Sequence, residues 1–371
     1  MADTTNPLAA MKLKKLAGFK QITPGVITGD VVTALKQCGV DVVEKYDGTY
    51  SEASTGQMSV LGNTFYGLKI ATVKAKPASS LSVRVVSDVD ALKAHPVQVG
   101  VRLTQSAVSQ ARANTEIVSF LQAGSIVIPM TPKITANTED SSVYYEMVFS
   151  VTTGSSGADT LVVNVYVNKQ RVSTGSTSVT KNAGVSVRFG NNLIPDTDAG
   201  YRYMMGDMYL AELDYNSDKT VTPQLLGNLT LEPFTVASYT GDRHTNTKNQ
   251  DIVTALNTLD PNNDMGVLAI KPVEQAASVT FNVPDIAGKS IYGAALNIVY
   301  KDSIAPNNRL RYQITEGSTQ MAAETLTERN ADITGYTTFS RMLTTPTNGG
   351  DWNTQNLAFK LDLYNNASTG E

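Results

Sequence analysis

Apolar and polar residues alternate along most of this chain. Leu81, Val83 and Val85 are separated by Ser82 and Arg84, and Val97, Val99, Val101 and Leu103 by Gln98, Gly100 and Arg102. Val143, Tyr145, Met147, Phe149 and Val151 repeat the pattern. A period of two predicts half-buried strands. Further strands are expected at Ile126–Ile128, Leu161–Val167, Val185–Phe189, Val267–Ile270, Ala277–Val283, Ile291–Tyr300, Leu310–Ile314 and Leu357–Leu363. Ile252–Leu259 reads as a helical turn or a buried strand. Turn-rich pieces separate them, among them Thr152–Gly157, Asn168-Lys169 and Gly190–Asn192, and Pro284, Pro306 and Pro346 punctuate the loops. Many short strands with regular turn signals predict a sandwich or jelly roll, not a βαβ fold.

The N-terminal stretch differs. Leu8, Met11, Leu13, Leu16 and Phe19 loosely fit one helical face, with Lys12, Lys14, Lys15 and Lys20 beside it, which predicts a weak helix or an extended arm. Asp30 as a cap, Val31, Val32 and Leu35 as apolar contacts, and Gly39 as a stop predict a short helix. The expected architecture is mostly β, with two jelly-roll-like β-sandwich domains and a short helical or extended N-terminal segment. Residues 1–46 form that segment, 47–232 the first sandwich and 233–371 the second. The segment either packs on the following domain or docks on a neighbouring subunit.

Composition narrows the function. The chain has 371 residues, a net charge of −4 and only 17% charged residues, with a pI of about 5.4. It has no basic stripe to neutralise phosphates, so no nucleic-acid partner is expected. No run of apolar residues is long enough to span a bilayer, so no membrane partner is expected. No secretory signal is read in the polar N-terminus. The single cysteine, Cys38, excludes an intramolecular disulfide and a multi-thiolate zinc site. The two histidines, His95 and His244, lie far apart. No metal and no cofactor is expected, and a chain so poor in catalytic residue types is expected to be a structural or binding protein, not an enzyme.

Two segments carry resemblances. Val165–Val172 (VYVNKQRV), Val185–Phe189 and Gly206–Asp214 (GDMYLAELD) resemble strands of concanavalin-A-like, laminin-G-type jelly rolls, with Asn168-Lys169 where that family turns through Asp-Gly. The resemblance implies a lectin-like sandwich for residues 47–232. Ser290–Ser303, Asn308–Ser318, Tyr336–Phe339 and Thr345–Leu361, the last containing Asn348-Gly349-Gly350-Asp351-Trp352, resemble a β-domain of tailed-bacteriophage virion structural proteins. That likeness covers roughly residues 278–365. It departs at Ala358-Phe359-Lys360, where the family has Phe-Gly before its lysine. It implies a location in a virion, as a tail, neck, fibre or capsid-decorating protein, with other copies of itself and other virion proteins as partners.

Candidate chemistry is sparse. Glu212 and Asp214, two apart on one strand, share a face as the acid and nucleophile of a retaining glycosidase do. The second glutamate of the E-x-D-x-E pattern is missing, since Tyr215, Asn216, Ser217 and Asp218 follow. The stronger reading is the polar face of an outer strand. Asp260-Asn262-Asp264 and Asp196-Asp198 place oxygens as calcium loops do, but the former lacks the glycine and glutamate of an EF-hand, and both read as Asx turns. Tyr201, Tyr203, Tyr209 and Trp352 offer aromatic faces for a sugar or a protein partner; the competing reading is core. No nucleophile elbow, Walker loop or dinucleotide fingerprint occurs. The expected function is assembly within a tailed-phage virion. The alternative is an adhesin that binds host surface polysaccharide through the central domain, and a glycan depolymerase ranks below both.

Overall fold

The structure, a computed structural model, describes residues 11–48, 51–72, 80–105, 116–123, 126–135, 141–154, 157–179, 183–190, 202–241, 245–246, 251–262, 268–269, 273–300, 308–326 and 337–367. Its elements run β1 (Met11–Ala17), β2 (Gly25–Val26), α1 (Val31–Gln37), β3 (Val43–Asp47), β4 (Ser51–Val60), β5 (Asn63–Thr72), β6 (Ser80–Val86), α2 (Ala91–Ala94), β7 (Val97–Gln105), β8 (Glu116–Ala123), β9 (Ile126–Thr135), β10 (Ser141–Thr153), β11 (Asp159–Val167), β12 (Gln170–Ser178), β13 (Val185–Gly190) and β14 (Arg202–Leu213). There follow β15 (Thr235–Thr240), β16 (Thr245–Asn246), α3 (Ile252–Asn257), β17 (Leu268–Ala269), β18 (Val273–Asn282), β19 (Ala294–Tyr300), β20 (Asn308–Glu316), β21 (Thr319–Gln320), β22 (Glu324–Thr325), β23 (Thr337–Leu343) and β24 (Phe359–Ala367). The chain is mostly β, as its alternation predicts.

Two units divide the chain. The first comprises Met1–Lys20, Pro24–Thr33 and Val40–Leu231; the second comprises Gln21–Thr23, Ala34–Gly39 and Glu232–Glu371. In the first, one antiparallel path runs β2-β4-β5-β14-β7-β10-β11-β12-β9-β8-β13-β6-β3, with β1 also on β14. The path narrows to one residue pair between β12 and β9, Thr174 opposite Thr131. The two halves form the layers of a sandwich. Val99, Met147, Phe149 and Val163 on one half and Leu81, Val83, Val187 and Phe189 on the other are no more than 2% exposed. The Tyr203 hydroxyl on β14 donates to the Phe189 carbonyl on β13, 3.4 Å away, and ties the layers together.

Of the two forms expected for the N-terminal residues, the extended one is present: Met11–Ala17 is a strand, not a helix, and it pairs antiparallel with β14. Leu13 faces Ala211 and Lys15 faces Leu210, so Lys14 is an inserted bulge residue. The bulge shifts the alternation by one position, and the sequence then imitates a helical spacing. The short helix expected after Asp30 is present: the Asp30 carboxylate accepts from the Thr33 amide at 2.7 Å, and Gly39 takes φ +80° at its end. Ile252–Asn257, left open between helix and strand, is helical and capped by Asp251.

In the second unit, β15-β18-β24-β20-β21, with β22 on β20, forms one sheet, and β19-β23 forms a separate ribbon. Ala277, Val279, Tyr312, Ile314, Leu361 and Leu363 from the sheet pack with Ile298 from the ribbon. This is a second, smaller sandwich.

A buried polar network as candidate functional site

Strands β7, β10 and β14 lie side by side. Their odd and even positions face opposite ways. On β7 the apolar positions enter the sandwich, so Gln98, Gly100, Arg102 and Thr104 lie on the other face. Alternation alone would leave that face wet. Instead Gln98 is 0% exposed, Arg102 2%, Glu146 2% and Asp207 8%. The segment 224–231, the C-terminal end of the first unit, lies across them as a strap.

Each polar side chain grips the strap or a neighbour that does. The Gln98 carboxamide pairs with one peptide group, donating to the Gln224 carbonyl at 2.9 Å and accepting from the Gln224 amide at 3.1 Å. Glu146 accepts from the amides of Leu226 at 2.8 Å and Gly227 at 3.0 Å. Its carboxylate also takes the Tyr209 hydroxyl at 2.6 Å. Arg102 donates through Nε to Asp207 at 2.9 Å and through Nη2 to the Leu229 carbonyl. Asp207 accepts from the Leu231 amide at 3.0 Å. The guanidinium lies between two rings, 4.7 Å from the centre of Phe65 and 5.3 Å from that of Tyr144.

Backbone irregularities make room for this set. The register of β14 against β7 shifts between Gly206 and Tyr209, and Asp207 in that bulge takes φ +44°. The bulge aims the Asp207 carboxylate at Arg102 and its carbonyl at the Tyr144 hydroxyl, 2.9 Å away. Gly100 lies opposite both Tyr209 and Glu146. A Cβ there would sit 2.1 Å from Tyr209 Cε1, so the ring covers this strand only because residue 100 has no side chain.

Electrostatics follow from burial. Desolvation pushes the Glu146 carboxyl above its ordinary range; the hydrogen bonds from Tyr209, Leu226 and Gly227 and the charge of Lys169 pull down without cancelling it. Burial, then the Glu146 charge, holds the Tyr209 phenol well above its usual value. Burial, then the charges of Asp207 and Glu146, does the same for Tyr144. The network leaves no buried side-chain nitrogen or oxygen of its own without a partner. Its carboxylates are committed to backbone amides and its cation to a carboxylate and a carbonyl. As arranged it is a clamp, not an acid–base pair open to a substrate.

The residues singled out from sequence are distributed differently. Tyr203 and Tyr209 are each 1% exposed, so neither presents a face to a sugar or partner. Trp352 is 8% exposed, tilted against Phe359 at 6.1 Å, with its Nε1–H on the Thr344 carbonyl at 3.3 Å. All three are core residues, which corrects their reading as contact residues: strand alternation and packing turn them inward. Tyr201 lies outside the described residues. Glu212 and Asp214 have different partners, the Lys14 ammonium at 2.9 Å and the His95 ring nitrogen Nδ1 at 3.2 Å, and Asp214 lies beyond the end of β14. Asp260 accepts from the Asn262 amide at 2.9 Å as an Asx turn; Asp264, Asp196, Asp198 and His244 lie outside the described residues. Among the described residues no cluster of three histidine, cysteine, aspartate or glutamate side chains could hold a metal. Cys38 is buried and its thiol is pushed up to about 12, by desolvation first and by Asp260 second, which leaves it unreactive.

The second unit holds an irregular loop in the same manner. Glu316, 3% exposed, accepts from the Thr347 amide at 3.1 Å and the Thr347 hydroxyl at 2.6 Å.

Sequence reading missed Gln98, Arg102, Tyr144, Glu146 and Asp207. One signal was available: a glycine inside a strand pattern, Gly100, marks close approach of another group.

No protein-family model and no curated protein sequence matches the chain. Solved structures do align with about half of it. The alginate lyase Aly36B, as a mutant bound to alginate trisaccharide, matches at TM-score 0.33 and 8% identity over 54% of this chain and 98% of its own. The carbohydrate esterase of Shiga toxin-encoding bacteriophage phi24B matches at 0.31 and 10%, over 52% and 100%. Domain 4 of a GH43 arabinanase from Geobacillus stearothermophilus, bound to arabinotriose, matches at 0.26 and 15%, over 57% and 97%. The expectation that the chain is no enzyme is corrected: enzymes stand among the similar structures, and a scarcity of catalytic residue types is no ground for that exclusion. Likeness at this level assigns the chain neither a substrate nor a reaction.

Proposed function

We propose that the chain is a structural subunit of a tailed-bacteriophage virion that works by binding its neighbours through sheet faces and edges. The observation that carries this reading is the residue pattern of the second unit, from Ser290 through Leu361, which resembles a β-domain of such virion proteins. Two features support it. Buried carboxylates, Glu146 and Glu316, hold irregular segments in place, and a rigid surface loses little entropy when it docks. Strand β12 is rich in serine and threonine and mostly exposed, a polar surface suited to many weak contacts that symmetry multiplies. The test is purification of phage particles to homogeneity, followed by quantitative mass spectrometry and gold labelling with an antibody to the chain. Fixed stoichiometry and labelling at one particle position are expected. Presence in the infected-cell lysate with absence from purified particles would refute the reading.

A further inference from the structure

An end strand of a sheet presents a row of peptide N–H and C=O groups that can pair with another chain. Proteins blunt such edges by brevity, charge, a bulge or a covering element. The path of the larger sheet ends in β2 and β3, that of the second unit's sheet in β15 and β21. β2 and β21 are two residues each. β3 carries Glu44, Lys45 and Asp47, and β1, the branch on β14, carries Lys12, Lys14 and Lys15. β15 (TVASYT) has neither of these defences: it is six residues long, carries no charged side chain and is mostly exposed. A bulge interrupts it between Val236 and Ser238, but Val236 itself stays in register, opposite Phe281 on β18.

Asn257 occupies that position of the edge. Its Oδ1 accepts from the Val236 amide at 2.7 Å and its Nδ2 donates to the Val236 carbonyl at 2.9 Å. One side chain thus takes both outward groups of an edge residue, as the peptide groups of a neighbouring antiparallel strand do. The first unit uses the same device, with the Gln98 carboxamide on the peptide group of Gln224. Asn257 is the last residue of α3, a helix of six residues, too short to persist alone. The Asp251 carboxylate caps it, accepting from the Thr254 amide at 2.9 Å. Val253 and Leu256 fix it to the core and are only partly buried there. Loss of the Val236 pair therefore frees the end of the helix that lies at the edge.

We propose that α3 is a guard on the β15 edge, latched by Asn257, and that what it excludes is β15 of a second copy. A strand edge is complementary to itself: two antiparallel copies of β15 offer each other the donor and acceptor that Asn257 now supplies to Val236, and no like charges meet between them. Such a pair is isologous and closes as a two-fold dimer. In the free chain the guard keeps this edge from pairing with itself. The inference concerns the chain in solution and stands apart from the virion reading.

The test uses the full chain. Sedimentation over a concentration series up to about 1 mM should show N257A associating about tenfold or more tightly than wild type, since two competing hydrogen bonds are lost. Amide exchange at Val236 is the readout specific to the edge. In N257A it should be fast in dilute solution and slow again as association sets in, whereas a loss of local structure alone leaves it fast at every concentration. N257L, of similar size, suits a helix better and lacks both hydrogen-bonding groups, so it should behave as N257A does. Adding A237K, a charge on the exposed bulge residue, should return N257A to the wild-type mass. A folded N257A or N257L with wild-type mass throughout the series would overturn the guard. So would association without renewed protection at Val236, association that A237K leaves intact, or unfolding of both variants in place of association.

Discussion

Replacing Glu146 with alanine tests the clamp directly. The substitution removes the acceptor for the Leu226 and Gly227 amides and for the Tyr209 hydroxyl. Each buried donor left without a partner costs about 1–3 kcal/mol. Two amides and one hydroxyl therefore weaken the closed strap by roughly 3–6 kcal/mol, allowing for partial relief by water. The strap can escape that cost by lifting, so the loss should appear first as local opening and only later as unfolding of the sheet. Amide hydrogen exchange resolved by residue is the assay. Leu226, Gly227 and Leu231 should exchange faster by two to four orders of magnitude, by the conversion of about 1.4 kcal/mol per tenfold, while the amides of Val99 and Met147 stay protected. E146Q keeps one acceptor oxygen and should cost less. Its pH response is also distinct. Burial raises the Glu146 carboxyl above its ordinary value of 4.5. The folded state therefore favours the protonated form. The associated stability is present below that value and lost as pH rises through the raised one. Wild type should thus lose stability relative to E146Q over this window. Unchanged exchange at Leu226 and Gly227 in E146A, with a folded sheet, would refute the clamp.

Other expectations are more local. G100A drives a methyl group into Tyr209, 2.1 Å from Cε1, and should destabilise the first unit by about 1–3 kcal/mol; equal urea midpoints for the two proteins would contradict this. R102M leaves the Asp207 charge buried without its cation, a loss of about 3–5 kcal/mol, and the double variant R102M/D207N should recover part of it in a denaturation cycle. W352A empties the small core it forms with Leu343 and Leu357, for about 3–5 kcal/mol. Exchange at Leu343 and Leu357 should rise while the first unit is unaffected, and an equal rise in both units would show that they do not unfold separately.

Much of the fold is legible in the letters. Val97–Leu103, Val143–Val151 and Leu161–Val167 announce strands because one face of each must be dry, and period two records that requirement. Asp30 and Gly39 bracket a helix because capping and a left-handed exit are local chemistry. The Asn168-Lys169 turn is likewise local: both residues take positive φ, +49° and +64°.

What the letters do not contain is which second face is covered, and by what. Gln98, Arg102 and Glu146 have the spacing of solvent-facing residues and are among the most buried in the chain. Their burial depends on a strap more than seventy positions away from any of them, and no local pattern encodes that distance. The N-terminal strand is hidden for a related reason, since a one-residue bulge at Lys14 resets the phase that reveals a strand. Local sequence thus determines which segments are strands, turns and caps, because those depend on neighbours along the chain. Tertiary structure alone decides which polar residues become a sealed clamp and which aromatic residues become core, because burial is a property of the whole folded surface.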